Sequence, residues 1–591
     1  MHIDIKSRHL EEVLVLNPME EVSTSLTKIH DQDDQVIYEF NVTAREAFYP
    51  KPITLQWKIP ALNVMGVWKP TTDFSKRIQA DWELEHMESR ISIDAPIINL
   101  FGHDDSNILT FACSNTINKL EMNARLREED NCFYCHITFF SECTYAMKNF
   151  SAQLYLDYSE GHFSKALGNV SRWWESFTDL KPTRVPAVAK IPLYSTWYQF
   201  HQNLDLDLLT KECELAVELG YKVIIIDDGW QTNDNNRGYD YTGDWQPERI
   251  PEMASYVEKL HGIGMKVALW YSVPFCGKKS KAYTKFKGKF LTEQHRWAPV
   301  FDPRFPDVRE YLINTYASAL KDWKLDGFKL DFIDDFKWYP DTPLKQEDGR
   351  DYASINRAVD RLLTDVMATL QEINPEVFIE FRQKYTGPAM RKYGNMFRAF
   401  DCPGDPTMNR IRIADIRMLC GTTAVHSDML NWHDDEQLEI AALQMTNTLF
   451  GVPQMSMMLN EARESHLQMI RFYTKYWNEH SDILMNGSFT PFRPLANYPL
   501  KKVEHGNTSI IGVYDNYTIL LSKSKEQIHI INSKLGNNVI VDCSTDMGRY
   551  HAHVQDCTGK TIFEGPIDLI KGIQKLDVPP CGLVRFKRIN T

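Results

Sequence analysis

The chain has 591 residues, 43% hydrophobic and 25% charged, proportions of a soluble globular protein that exclude a mainly disordered or fibrous chain. At about 150 residues per domain, the length suggests about four domains. Its 66 Lys and Arg against 79 Asp and Glu leave a net charge of −13, which repels phosphate backbones and excludes nucleic acid as an expected partner. No stretch approaches 18 uninterrupted apolar residues, so no membrane span is expected. The run 1–12 has no apolar leader core. The 11 Cys are scattered. Cys132 and Cys135 form one C-x-x-C, without a second pair at zinc spacing. Free thiols in a reducing cytoplasm are the expectation.

The texture of the chain changes twice. Residues 1–185 give short alternating runs, such as Val36-Ile-Tyr-Glu-Phe-Asn-Val and Cys135-His-Ile-Thr-Phe-Phe, and predict an N-terminal β-sandwich. A helical patch near Phe163–Phe177 leads into the Pro-punctuated Lys181-Pro-Thr-Arg-Val-Pro. Over 186–485, short apolar runs alternate with amphipathic stretches. The runs are Leu193–Trp197, Val223–Ile226, Val267–Trp270, Gly327–Leu330, Val377–Phe381, Met396–Phe400, Ala424–Leu430 and Gln454–Met458. Eight such repeats predict a central (β/α)8 TIM barrel. A doubly wound sheet competes, but no G-x-G-x-x-G follows the first run. Residues 486–591 return to short strands and predict a C-terminal β-sandwich. The whole is a multidomain α/β plus β architecture, and one barrel absorbing nearly 300 residues reduces four domains to three.

Barrel catalysis sits at the C-terminal ends of the strands. Those ends read Trp197-Tyr198, Asp227-Asp228-Gly229-Trp230, Trp270-Tyr271, Lys329-Leu330-Asp331-Phe332, Glu380-Phe381-Arg382, Asp401-Cys402-Pro403-Gly404-Asp405 and His426-Ser427-Asp428. Lys329 and Asp331 alternate with Phe328, Leu330 and Phe332, so the two charges share one face. Buried in the barrel, they must pair or do chemistry; an ion pair at the rim is the plain alternative. Two carboxylates from different strands, set among aromatics, suggest glycoside hydrolysis. One attacks or guides water, and the other donates a proton to the leaving oxygen. Lys329 should keep Asp331 ionised, as a nucleophile requires. Desolvation at the turn opened by Asp401 would raise its pKa, as a general acid requires. An Asx-turn role for Asp401 stands beside that reading.

The blocks Trp197-Tyr-Gln-Phe, Ile226-Asp-Asp-Gly-Trp-Gln, Gly243-Asp-Trp and Lys329-Leu-Asp-Phe, in this order and spacing, resemble the α-galactosidases of glycoside hydrolase family 36, in the melibiase clan. That family has the same three-domain plan. The resemblance implies a retaining exo-α-galactosidase with Asp331 as nucleophile and Asp401, eleven residues after Met390, as acid/base. It implies that Asp227 and Asp228 grip the 4- and 6-hydroxyls, that Lys329 reaches ring hydroxyls, and that Trp270 forms an aromatic wall; Trp197 is a further substrate-binding candidate. Arg296, six residues before Asp302, matches a substrate arginine, with a structural role as the alternative. Asp405 is an offset counterpart of the second acid of the acid/base block. The implied partner is an oligosaccharide with a terminal α-galactose; no metal or cofactor is implied, and a homo-oligomer is allowed. Retention implies carboxyl groups roughly 5–5.5 Å apart.

The chain also departs from that pattern. Where common members carry a Cys and a Gly-rich tract ending in Arg, it reads Glu380-Phe-Arg-Gln-Lys-Tyr-Thr-Gly387, with Arg382 as the candidate replacement. In the family this loop lines the sugar near its 2-substituent, so α-N-acetylgalactosaminidase activity is an alternative, as is α-galactosyl transglycosylation. Arg398 replaces part of a Trp-Thr-Ser and is either a leaving-group contact or ordinary surface charge. His426 is read as structural sooner than catalytic, and Trp68 as core. A metal-dependent barrel hydrolase using Asp227, Asp228 and Asp331 competes less well, because Lys329 would compete with a cation. A non-catalytic sugar-binding relic is disfavoured by the presence of both carboxylates.

Overall fold

The computed structural model describes residues 13–20, 22–142, 145–236, 238–382 and 384–589; the run 1–12, read above as lacking a leader, lies outside them. A five-stranded sheet runs Leu14–Leu16, Ile53–Pro60, Cys132–Phe139, Leu120–Arg127, Met87–Ser89. It faces a six-stranded sheet of Ser23–Gln32, Gln35–Phe48, Met147–Asp157, Asn107–Cys113, Ile97–Phe101 and Gly66–Trp68. Alternation drives this sandwich. In Ile53–Pro60 the residues Ile53, Leu55, Trp57 and Ile59 are buried and those between them are not. Trp57 meets Phe111 of the facing sheet edge-on, ring centroids 4.9 Å apart.

Eight parallel strands then close into a barrel in sequence order: β1 (Leu193–Ser195), β2 (Val223–Ile226), β3 (Lys266–Ser272), β4 (Gly327–Asp331), β5 (Phe378–Arg382), β6 (Met396–Arg398), β7 (Ala424–Leu430) and β8 (Val452–Met455). Leu193 of β1 pairs with Gln454 of β8 to complete the ring. Helices wrap it. In Ile355–Ile373 the buried Val359, Leu362, Leu363, Val366 and Leu370 recur at helical spacing, and the Ser354 hydroxyl caps the start by accepting from Arg357 N. A C-terminal seven-stranded sheet, with Ser488–Phe492 and Thr561–Leu569 as its two edges, packs with a three-stranded sheet of Thr518–Leu521, Asn538–Cys543 and Gly572–Asp577. No helix among the described residues is long and apolar enough to cross a membrane.

Period two sorts the barrel strands. Ile224, Ile226, Leu269, Phe328, Leu330, Ile379, Phe381, Phe397 and Val425 join the large core beneath the helices. Their alternates Leu193, Val223, Ile225, Ala268, Phe378, Met396 and Ala424 meet in a small interior cluster at the base. One step up the same inward rows stand Asp227, Trp270, Lys329, Glu380, Arg398 and His426, and one further step brings Asp331, Arg382 and Asp428. The barrel is thus apolar at its floor and charged towards its C-terminal mouth.

Candidate active site

Burying ions costs several kcal/mol each unless they are paired and hydrogen-bonded, and the upper rows pair almost throughout. Lys329 Nζ donates to Asp227 Oδ2 at 2.6 Å, both side chains buried. It fills the place a cation would take against Asp227. Asp227 Oδ1 accepts from Asp228 N (2.9 Å). Asp228 accepts from two amides, Gln202 Nε2 (2.7 Å) and Gln231 Nε2 (2.6 Å). Its burial outweighs those bonds and pushes the carboxyl up to about 6.

Asp331 ends β4, 6% exposed. Its Oδ2 accepts from Trp270 Nε1 (3.0 Å), and its Oδ1 accepts from Arg382 Nε (2.6 Å) and Phe332 N (2.7 Å). Phe332 lies in the left-handed region at φ 62, costly for a bulky residue, where the strand breaks. Burial pushes Asp331 up, but Arg382 and Lys329 outweigh it and hold the carboxyl below its ordinary value. The expected ionised state of Asp331 follows, with Arg382 contributing more than Lys329.

Asp401 departs from expectation. It lies just beyond β6 with 36% of its side chain exposed, and Oδ1 accepts from Arg398 Nη2 at 2.7 Å. Burial raises its pKa as the sequence suggested. Arg398, Lys329 and Arg382 reverse that and bring it down to about 2. Arg398 is not surface charge. It is 1% exposed, donates through Nη1 to Asp428 Oδ1, and sets Nε 3.6 Å from Glu380 Oε1. One guanidinium therefore serves three carboxylates. Burial and the proximity of Asp401 push Asp428 up.

The remaining sequence candidates scatter. Trp270 lies directly on Asp331. Trp197 stands at the end of β1, edge-on to His201 (4.6 Å). Arg296 is exposed on the loop before Val300, its guanidinium over Trp297 (4.8 Å). Asp405 does not join the carboxylates; it caps helix Pro406–Leu419, accepting from Met408 N at 2.8 Å, because an Asp before a Pro at N1 is a strong helix start. His426 is fully buried and bonds Ala189 O at the barrel floor (2.7 Å), and Trp68 is core. Three further side chains join the site. Tyr385 OH donates to Asp334 (2.7 Å) and lies 3.4 Å from Asp331 Oδ1. Tyr198 OH donates to Asp428 (2.8 Å). Tyr239 stacks on Trp270, centroids 6.1 Å apart. Tyr239 lies in a loop without periodicity and nothing in the sequence marked it; Tyr385 falls in the tract marked as a departure, without a role of its own there.

No protein-family model matches the chain. Among curated proteins it is similar to "Probable alpha-galactosidase G" of Emericella nidulans, 23% identical over 146 residues. It is likewise similar to "Alpha-galactosidase 2" of Pediococcus pentosaceus, 26% over 167. A third, "A type blood alpha-D-galactosamine galactosaminidase" of Flavonifractor plautii, is 25% identical over 156. These matches cover 22%, 26% and 22% of this chain, and only 20%, 23% and 13% of the relatives. The solved α-galactosidase of Lactobacillus brevis superposes with a TM-score of 0.65 at 13% identity, covering 98% of this chain and 86% of that one. A family 36 α-galactosidase of Geobacillus stearothermophilus, solved with raffinose, gives 0.61 at 13%, covering 98% and 88%.

The fold is that of the family 36 α-galactosidases. Within this fold, the chain's departures fall together beside Asp331 and Asp401. In the tract where the family carries Cys and glycines, Arg382 reaches Asp331, with Phe332 and Phe400 flanking its guanidinium (4.9 and 5.2 Å). In place of the family's Trp-Thr-Ser, Arg398 grips Asp401.

Proposed function

We propose that the chain is a retaining exo-α-galactosidase that hydrolyses terminal α-linked galactosyl units of oligosaccharides. The observation that carries this reading is the setting of Asp331, an ionised carboxylate at the mouth of a family 36 barrel, oriented by Trp270, Arg382 and Phe332 N. Asp331 attacks the anomeric carbon as the glycosidic C–O bond breaks, and the leaving oxygen takes a proton from Asp401. Water then gives its proton to Asp401 and its oxygen to the anomeric carbon, which frees Asp331. In the resting site Asp401 is ionised by Arg398, so the first half requires it to take up a proton as substrate covers it. Lys329 and the Asp227–Asp228 pair supply donors and acceptors for the far edge of the sugar. An epimer would leave a buried acceptor unpaired there.

A second reading is α-N-acetylgalactosaminidase; the Flavonifractor plautii relative is named for a sugar with a nitrogen substituent, α-D-galactosamine, and the tract that departs from the family pattern carries Arg382 beside Asp331. Nitrophenyl α-galactoside, α-N-acetylgalactosaminide, α-glucoside and β-arabinoside separate the two. The α-galactoside is expected to react, with NMR showing the α-anomer first. Asp331→Asn is expected to cut kcat at least roughly 1,000-fold with an unchanged thermal midpoint. Survival of most activity in that variant, or first release of the β-anomer, would refute the mechanism. For location, the buried cysteines Cys113, Cys135, Cys213, Cys276, Cys402 and Cys420 are free thiols, which suits a reducing cytoplasm.

A further inference from the structure

The donors around Asp331 are divided unequally between its two oxygens. Oδ1 accepts from Arg382 Nε (2.6 Å) and Phe332 N (2.7 Å), and Tyr385 OH stands 3.4 Å from it. Among the described residues, Oδ2 accepts from Trp270 Nε1 alone (3.0 Å). Oδ1 is crowded by donors, while Oδ2 keeps a lone-pair direction free. Oδ2 is therefore the oxygen placed to bond an anomeric carbon, and Oδ1 becomes the carbonyl oxygen of the ester that results.

Tyr385 is buried, and its hydroxyl carries one hydrogen, which the shorter contact gives to Asp334 Oδ1 at 2.7 Å. Rotation about the C–O bond turns that hydrogen towards Asp331 Oδ1. Catalytic hydrogen bonds are often long in the free enzyme and tighten in the reacting complex. Burial pushes the hydroxyl well above its ordinary pKa, and Asp334 and Asp331 add to this against Arg382, so Tyr385 keeps its proton. The loops that carry Tyr385 and Asp334 are both held by the N-terminal sandwich. Arg90, itself buried, donates to the carbonyls of Asp334 (2.8 Å) and Phe336 (3.0 Å). Asp94 N donates to Lys384 O (2.8 Å), and a Cβ at Gly387 would stand 2.9 Å from Asp94 O, so glycine permits the approach. On its other side the Tyr385 ring meets Phe381 edge-on, centroids 6.2 Å apart.

We propose that Tyr385 is a catalytic residue of the second half-reaction, turning its hydroxyl hydrogen to Asp331 Oδ1 as the galactosyl-enzyme ester breaks. The proposal rests on the retaining α-galactosidase reading. In that half, the oxygen of water bonds the anomeric carbon and its proton passes to Asp401. The bond from that carbon to Asp331 Oδ2 breaks, and its electron pair goes to the carboxyl group. Charge thus returns to Asp331, and a hydrogen bond to a charged acceptor is about twice as strong as one to a neutral acceptor. A donor on Oδ1 stabilises the departing carboxylate more than the ester. In the first half Asp331 gives up charge, so the hydrogen stays on Asp334 and Tyr385 contributes little. Tyr385 retains its proton throughout.

Stopped-flow kinetics with nitrophenyl α-galactoside separates the two halves, because nitrophenol leaves in the first and steady turnover follows the slower. In Tyr385→Phe, which removes one oxygen, kcat is expected to fall about tenfold. Over the same comparison kcat/KM, which reports the first half, is expected to stay within about twofold of the parent, so KM falls together with kcat. A burst of nitrophenol, and a galactosyl adduct in the intact mass of acid-quenched protein, are expected to accompany the change. A kcat/KM that falls as far as kcat without a burst, or kinetics that do not change, in a variant with the parental thermal midpoint, overturns the second-half role while leaving the hydrolase reading intact. A parent protein that releases no nitrophenol from the α-galactoside overturns that reading, and the role of Tyr385 with it.

Discussion

Arg398 faces Asp401, Asp428 and Glu380 with a single positive charge, all of them in or beside the barrel interior. Two buried carboxylates and a third, half-exposed one cannot all stay ionised against one cation at modest cost, so the charge is distributed unequally. Asp401, the most exposed, stays ionised, and burial raises Asp428 and Glu380. Asp228 shows the same competition with a definite sign. Its folded value, about 6, lies above the ordinary Asp value of 3.8, so the folded protein binds its proton more tightly than the unfolded chain. That contribution to stability is complete below pH 3.8 and is lost as pH rises through about 6, a swing of about 3 kcal/mol. Asp228→Asn, which mimics the protonated form, is therefore expected to gain stability relative to the parent between pH 5 and pH 8 in urea titrations. A constant difference across that range would show that Asp228 titrates normally.

At the scale of elements, the inward rows of β2 to β7 do the positioning. Apart from β3, whose row ends in Trp270 and Ser272, each row ends in a charge at the mouth, so closing the ring brings together side chains more than 100 residues apart, such as Asp227 and Lys329. The turn after β2 depends on a glycine. Gly229 has φ +121, and a Cβ there would lie 2.6 Å from Gln202 Cα, a backbone atom that cannot swing aside. That closeness is what allows Gln202 to reach Asp228. Gly229→Ala is expected to destabilise by at least about 2 kcal/mol and to lower kcat/KM. Urea midpoints and steady-state kinetics check both, and a neutral substitution would mean that the turn relaxes freely.

At the scale of the molecule, Asp415 of helix Pro406–Leu419 joins three domains. Its Oδ1 accepts from Trp68 Nε1 of the N-terminal sandwich (2.9 Å) and Tyr498 OH at the entry to the C-terminal sheets (2.5 Å), and Lys76 Nζ lies 3.7 Å from Oδ2. All of this is buried. Asp415→Ala strands the Lys76 ammonium and two donors, which is expected to cost about 3–5 kcal/mol and to hasten proteolysis of the N-terminal sandwich. Arg412 lies one helical turn away and holds the carbonyl of Asp401, so a loosened junction should also raise KM. Limited proteolysis with intact-mass analysis measures the first effect. Cleavage at the parental rate would show that the sandwich is anchored elsewhere.

The sequence by itself determined the three-part plan, all eight barrel strands and the gathering of Asp227, Lys329 and Asp331 at one mouth, because strand alternation and chain order are local properties. It also marked Arg382 and Arg398 as departures. Only the tertiary structure decided what those arginines do. The protonation of Asp401 depends on a guanidinium three residues earlier on the same strand turning inward, and on Lys329 and Arg382 from neighbouring strands, a balance of burial and charge that no local pattern contains. The placing of Asp405 as a helix cap, of Tyr385 beside Asp331 and of Tyr239 on Trp270 arises the same way. Each depends on which loops the closed barrel and its flanking sandwich bring within a few ångströms.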